Sequence, residues 1–251
     1  GIKQENLTGH ALMTWIQVFY EEPFHNRAFL DTCDNSDIEF IYLHSMYPGK
    51  PNLQVKKHSN PHLTITYLGS GGVGGQEKGQ HMIPAIAEHL STHTPVKFNV
   101  HLGNARSVDG ISLEQKSYID LLEKNHSTSI LSGLLPCDQY CELIEASDII
   151  LLPYGPRYRH FMSGIFDDSL FLGKICILPD NSKMALWMNR HNVDCPTFKT
   201  WDTTSIINAI DNTLEHYTHY QSQFLLAKEI RTKSWIRNNP IDSFNTNTTR
   251  R

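Results

Sequence analysis

From residue 63 onward, short β-branched or apolar runs alternate with stretches of helical periodicity. The runs at 63–68, 96–102, 128–131, 149–153 and 175–178 are nearly continuous in apolar character, without strict alternation. That is the pattern of strands buried on both faces of a parallel sheet. Helical spacing fills the gaps at 79–90, 113–124, 138–146 and 164–172. Strand, helix, strand in this order predicts βαβ units and an α/β domain built on a Rossmann-like, doubly wound parallel sheet with helices on both faces.

Two more helices follow. Ile206, Ile207, Ile210 and Leu214 keep helical spacing over 203–217, with Asp202 or Thr203 as the cap, and the last helix runs from about 221 to 237. The polar tail from 241 to 251 is expected to be disordered. Residues 1–60 read differently, with an apolar aromatic stretch at 11–20, one strand-like run at 38–43 and a Pro-rich linker at 48–61. We read 1–60 as an N-terminal extension, too short for a second Rossmann-type domain, and 61–240 as the main domain.

Composition narrows the function classes. A chain of 251 residues with 39% hydrophobic content and a formal net charge of −4 suits a globular protein and argues against bulk attraction to nucleic acid. No apolar run reaches the length of a membrane span and no secretory leader pattern is visible, which predicts a cytoplasmic protein, free or peripheral at a membrane. The five cysteines contain no C-x-x-C pair, so reduced thiols are expected, Cys137 and Cys141 included. His89 and His93 have a chelating spacing, but nothing nearby supplies a third ligand, and no metal or other cofactor is expected. Three N-x-[ST] sequons are read as chance.

Chemistry concentrates in two loops that follow predicted strands. The first strand runs into Gly69, Ser70, Gly71, Gly72, Val73, Gly74 and Gly75, then Glu77-Lys78-Gly79 and a helix. Glycines let a backbone approach a ligand closely, and Lys78 offers a point charge to a diphosphate. The run is neither a G-x-G-x-x-G fingerprint in register with an acidic partner nor a P-loop. In the second loop, Arg157 and Arg159 precede a helix that opens at Ser163-Gly164. Cations and a helix N-terminus thus meet beyond the carboxyl end of a buried strand, where open α/β sheets bind anions. Asp167 and Asp168 occupy the first turns of that helix, and one of them suits sugar hydroxyls.

Taken together, residues 63 to about 217 resemble the C-terminal, nucleotide-sugar-binding domain of GT-B glycosyltransferases, especially the large retaining group called family 4. The resemblance rests on Tyr67-Leu68-Gly69, Glu77-Lys78-Gly79, Ser163-Gly164 and the glycine Gly173 that ends the helix. It implies donor diphosphate contacts from Gly69, Ser70, Gly71, Gly72, Lys78, Ser163 and Gly164, with the base against Leu134, Leu135 and Pro136. Ser70 stands where the family has an Arg. The family's two glutamates, eight positions apart, fall on His160 and Asp168. Asp168 is then expected to hold ribose hydroxyls, with Arg159 taking over charge work that His160 cannot do. Arg159, His160 and Asp168 are the candidate catalytic groups.

The implied activity is sugar transfer from a nucleotide-sugar donor to a glycan, polysaccharide or lipid-linked acceptor, with retention implied by the resemblance. An acceptor domain is not expected within this chain, so poor transfer by the chain alone is expected. A non-catalytic, degenerate module that binds a nucleotide or a partner is the alternative, and a dinucleotide-dependent Rossmann enzyme is a third reading. Trp187 and Trp201 are expected to pack in the core.

Overall fold

The computed structural model describes residues 62–69, 77–92, 96–103, 120, 122–123, 128–133 and 135–238. The chain divides into two compact units, 47–231 and 1–46 with 232–251. The fold below is that of the first unit. The expected N-terminal extension, the glycines of the first loop beyond Gly69 and the polar tail lie outside the described residues. Most of the helix expected at 113–124 does too, although Asp120, Leu122 and Glu123 are helical.

Strands β1 (Leu63–Gly69), β2 (Val96–Leu102), β3 (Thr128–Ser132), β4 (Ile149–Leu151), β5 (Ile175–Pro179) and β6 (Thr197–Phe198) form a six-stranded sheet in the order β3-β2-β1-β4-β5-β6. Every neighbouring pair is parallel, and Ile65 stands opposite Phe98 on one side and Ile149 on the other. Ile65, Ile149, Ile150, Leu151 and Ile177 are wholly buried. Each such side chain contributes roughly 1.5–3 kcal/mol on leaving water, which is why the central strands read as unbroken apolar runs. This is the expected Rossmann-like α/β fold.

Helices α1 (Ile83–Leu90), α2 (Cys137–Ala146), α3 (Gly164–Leu172), α4 (Lys183–Arg190), α5 (Thr203–Glu215) and α6 (Tyr217–Asn238) accompany the sheet. A hydrogen bond of 2.8 Å between His89 and Asp211 joins α1 to α5, whereas Tyr140–Asp168 joins α2 to α3 and Phe166–Trp187 joins α3 to α4. The two groups follow from right-handed crossovers running outward in opposite directions from the sheet centre. No described helix is long and apolar enough to cross a membrane.

Several expected boundaries move. The helix expected from 79 begins as a 3-10 turn at Gln80–Met82 and becomes regular only at Ile83, because Gly79 is left-handed (φ 74°) and Pro84 needs the first turn. β4 ends at Leu151 rather than 153: Leu152 N–H still donates to Ile177 O, but Tyr154 N–H turns back to Leu152 O. The sequence reading missed α4 and β6. Ser182 caps α4 by accepting from Ala185 N–H at 3.2 Å, a signal present in the sequence, while β6 is too short for periodicity to show. Asp202 is the cap of α5, accepting from Ser205 N–H at 2.9 Å. Trp187 packs at the core margin as expected, whereas Trp201 is 46% exposed and lies outside the core.

Two carboxylates within this core are paired. Asp148 accepts from Thr64 N–H at 2.7 Å, and Asp167 on α3 meets Arg231 on α6 at 2.7 Å with both side chains almost fully buried. Arg231 also lies over the Trp187 ring, 5.5 Å from its centre. Removing one partner strands a buried charge, so Asp167→Asn is expected to lower unfolding stability by about 3–5 kcal/mol. A paired Asp167→Leu/Arg231→Met replacement is expected to lose less than either single change, as read by urea unfolding.

Candidate functional site

The strand order reverses between β1 and β4: β1 leads outward to β2, β4 outward to β5. Their carboxyl ends therefore part, leaving the crevice where open α/β sheets take ligands. Two turns border it. Glu77-Lys78-Gly79 lies beyond β1, and Leu152–Gly155 lies beyond β4. Gly155 N–H donates to Glu77 O at 2.7 Å, tying one turn to the other. Gly79 is required there twice over: its φ is positive, and a Cβ would overlap the carbonyl oxygen of Pro153.

Lys78 is carried on this tie. It is half-buried and makes no hydrogen bond or ion pair among the described residues, and burial pushes its ammonium below the ordinary lysine range. A desolvated cation without a counter-ion is costly for the fold and ready for an anion. Gly69 closes β1, but a Cβ there would overlap the Tyr67 ring, so packing inside the fold already explains that glycine. Ser70, Gly71 and Gly72 lie outside the described residues.

Beyond β4 the chain makes a 3-10 turn, Pro156–His160, that presents Arg159 and His160 to solvent, followed by the exposed Phe161. Tyr158 packs on Tyr154, with ring centres 4.7 Å apart. The buried Tyr154 hydroxyl and Ser163 Oγ are 2.9 Å apart, which fixes the turn to the start of α3. Ser163 therefore spends its hydroxyl on Tyr154 and gives α3 no side-chain cap, contrary to an ordinary Ser cap. Asp167 N–H is bonded to Ser163 O, and the helix ladder has no acceptor for the N–H groups ahead of it. Gly164 is exposed, with nothing within 4 Å of where a Cβ would stand. An uncapped helix start facing open space is a donor cluster for an anion.

Of the two adjacent carboxylates, Asp167 is bound by Arg231 and Asp168 is not. Asp168 Oδ2 accepts from the Tyr140 hydroxyl at 2.7 Å. Burial raises its carboxyl above the usual range, and the Tyr140 bond opposes that in part. Burial and the neighbouring Asp168 charge push the Tyr140 phenol well above its ordinary value, so it stays a protonated donor. Leu135, half-exposed, precedes Pro136 at the start of the same helix α2. Leu135, Tyr140 and Asp168 thus belong to the joined α2–α3 pair.

Two members escaped the sequence reading. Tyr140 was hidden because nothing in a helical pattern names a partner 28 residues away. Trp201 lies against Gly155, where a Cβ would overlap its indole, and meets His81 edge-on at 5.9 Å. Its left-handed φ of 60° is uncommon for a bulky residue and no residue pattern announces it. A cleft of about 440 Å³ bordered by Asp180, Leu186, Asn189 and Asp194 lies beside β6, and none of the groups above lines it.

No protein-family model and no curated protein sequence matches this chain. Solved structures do. Sucrose-phosphate synthase from Thermosynechococcus elongatus aligns with a TM-score of 0.58 at 11% identity, over 98% of this chain and 63% of that one. Anabaena Alr3699/HepE, solved in complex with UDP-glucose, aligns with a TM-score of 0.53 at 14% identity, over 93% of this chain and 55% of that one. The C-terminal domain of a glycosyl transferase group 1 family protein, LpcC, from Francisella tularensis gives 0.54 at 10% identity, over 69% and 86%. The chain spans about half the length of the HepE protein. At these identities the likeness is one of fold, shared with glycosyltransferases.

Asp168 yields a pH-dependent expectation. Its native carboxyl holds a proton more tightly than the unfolded one, so its ionisation opposes folding, and that cost grows as pH rises through the native pKa. Asp168→Asn is therefore expected to melt no lower than the parent at pH 7. The advantage should vanish below about pH 4, where both carboxyl forms are protonated. A melting temperature clearly below the parent's at pH 7 would contradict this placement of Asp168.

Proposed function

We propose that this chain is the donor-binding part of a glycosyltransferase that moves a sugar from a nucleoside-diphosphate sugar to a glycan or lipid-linked acceptor. The observation that carries the reading is the half-buried Lys78 at the β1–β4 switch point, which has no hydrogen-bond or ion-pair partner among the described residues, together with the uncapped start of α3. In this reading the diphosphate lies between Lys78 and the leading N–H groups of α3. The base rests by Leu135, and Asp168 takes the nucleotide's pentose hydroxyls. The sugar then falls to the side of the crevice bounded by Arg159 and His160. The likeness to a protein solved with UDP-glucose supports the choice of ligand class.

Chemically, the task of such a site is to stabilise the leaving nucleoside diphosphate. Fixed donors and cations aimed at the developing charge achieve this without reorganising at the moment of reaction. Lys78, the α3 N–H groups and Arg159 supply a positive field here, so the reading requires no metal. Retention, implied by the resemblance, is part of the proposal. An acceptor-binding domain outside this unit completes the cleft and positions the second substrate. A second reading, a degenerate nucleotide-binding module, is favoured by one specific feature: His160 in place of the family's first glutamate.

Calorimetry with UDP, GDP, dTDP, ADP and NAD, in the presence of EDTA, tests the reading. One nucleoside diphosphate is expected to bind saturably. Lys78→Ala and Arg159→Ala should each weaken it by roughly tenfold or more, the scale of a lost charge-assisted bond. Binding that survives both substitutions unchanged would remove Lys78 and Arg159 from the site, and no binding by any of the five would overturn the donor-site reading. With binding in hand, sugar transfer once the acceptor domain is supplied separates an enzyme from a degenerate module.

A further inference from the structure

Helix α2 carries two cysteines that the donor-site reading leaves unused. Cys137 is its first residue and Cys141 follows one turn later, so both side chains leave the same face of the helix. Cys137 is exposed, Cys141 is half-buried, and the two thiols are hydrogen-bonded to each other. The Cys141 thiol holds Cys137 above the ordinary thiol pKa, and the Asp138 and Asp168 charges add to this. Cys137 is therefore a poor nucleophile toward alkylating agents and disulfides. An internal disulfide does not fit either. A helix keeps Cβ atoms at this spacing about 5–6 Å apart, whereas a disulfide asks for about 3.5–4.5 Å, so closing one would unwind the first turn of α2. Zinc asks for three or four protein ligands, and among the described residues no group of three His, Cys, Asp or Glu side chains is placed to hold a metal ion. Two thiols side by side on a helix suit one soft atom inserted between them.

We infer that Cys137 and Cys141 form a dithiol chelating site for trivalent arsenic. Thiols are soft ligands, and arsenic(III) bonds covalently to two of them while bridging a gap too wide for a direct S–S bond. With an organoarsenoxide, R–As=O, two As–S bonds form and two S–H bonds break. The arsenic–oxygen bond is lost, and the oxygen leaves with both thiol protons as one water molecule. Arsenic stays trivalent and both sulfurs keep their oxidation state, so the step needs no oxidant or reductant. Once the first As–S bond has formed, the helix presents the second thiol at high effective concentration. Cys176 and Cys195 are also close to one another, but Cys176 is wholly buried in β5, out of a reagent's reach. The chelate at the start of α2 needs no nucleotide and stands independently of the donor-site reading.

Phenylarsine oxide is the probe, added to the full chain with glutathione in excess so that single-thiol adducts exchange away. Native mass spectrometry is expected to show one phenylarsenic group per chain, with the count of titratable thiols lowered by two. Cys137→Ser and Cys141→Ser should each weaken retention by roughly hundredfold or more, the scale by which a tethered second bond exceeds a single one. Cys33→Ser and Cys195→Ser should leave retention unchanged. A parent stripped by glutathione, or a Cys137→Ser or Cys141→Ser chain that keeps the group at the parent's level, overturns the inference. Loss of the group in Cys33→Ser or Cys195→Ser overturns it equally, since the chelate would then lie elsewhere. Circular dichroism checks that each variant is folded. If a variant of the pair fails to fold, peptide mapping of the labelled parent carries the test: the arsenic must remain on the peptide that holds both Cys137 and Cys141, and any other peptide overturns the inference.

Discussion

Two parallel strands that send the chain away in opposite directions cannot close over their own carboxyl ends, and this geometry at β1 and β4 governs everything else about the molecule. It opens a crevice at the centre of the sheet, beside its most buried strands. The turns bordering that crevice are held together by the Gly155–Glu77 hydrogen bond and by the approach of Gly79 to Pro153. Because those contacts are backbone contacts, they fix Lys78 without spending its charge. The Tyr154–Ser163 bond does the same for the start of α3, using a buried pair of hydroxyls to leave the helix donors uncommitted.

Helix α3 divides labour between neighbours. Successive residues on an α-helix point about 100° apart, so Asp167 and Asp168 cannot share a partner. Asp167 turns into the protein and binds Arg231, which lies over Trp187; Asp168 turns toward α2 and Tyr140. One carboxylate ties the helix to α6 and the other ties it to α2. A buried ion pair seldom adds much net stability against an apolar alternative. Its value here lies in orientation, since α3 carries the candidate anion site at its N-terminus.

Two of the candidate groups share one energetic character. Lys78 and Asp168 both sit where burial opposes their charged forms, one lowered and one raised. Groups held against their own solvation are what binding and catalysis require, because a ligand of opposite polarity then recovers the loss. Trp201, in a left-handed conformation over Gly155, fits the same account of local cost accepted around a crevice.

The first five strands and the helices between them that the structure describes, the parallel sheet, the ends of α5 and α3 at Asp202 and Gly173 and the two loops that border the crevice were legible in the residues alone, whereas α4 and β6 were not. Burial on both faces writes a continuous apolar run, amphipathic packing writes a period, and helix ends write their own local hydrogen-bonding needs. Lys78 and Ser163-Gly164 were visible for the same reason, as short-range patterns beside those elements. What each side chain does once there was decided only by the tertiary structure. Asp167 and Asp168 are indistinguishable in sequence, yet their partners lie 64 and 28 residues away. Ser163 was read as a donor contact and its hydroxyl is bound to Tyr154, and Trp201 looked like core and lies against Gly155. Periodicity records which face of an element avoids water; the partner met across that face depends on packing between distant elements, which no local pattern encodes.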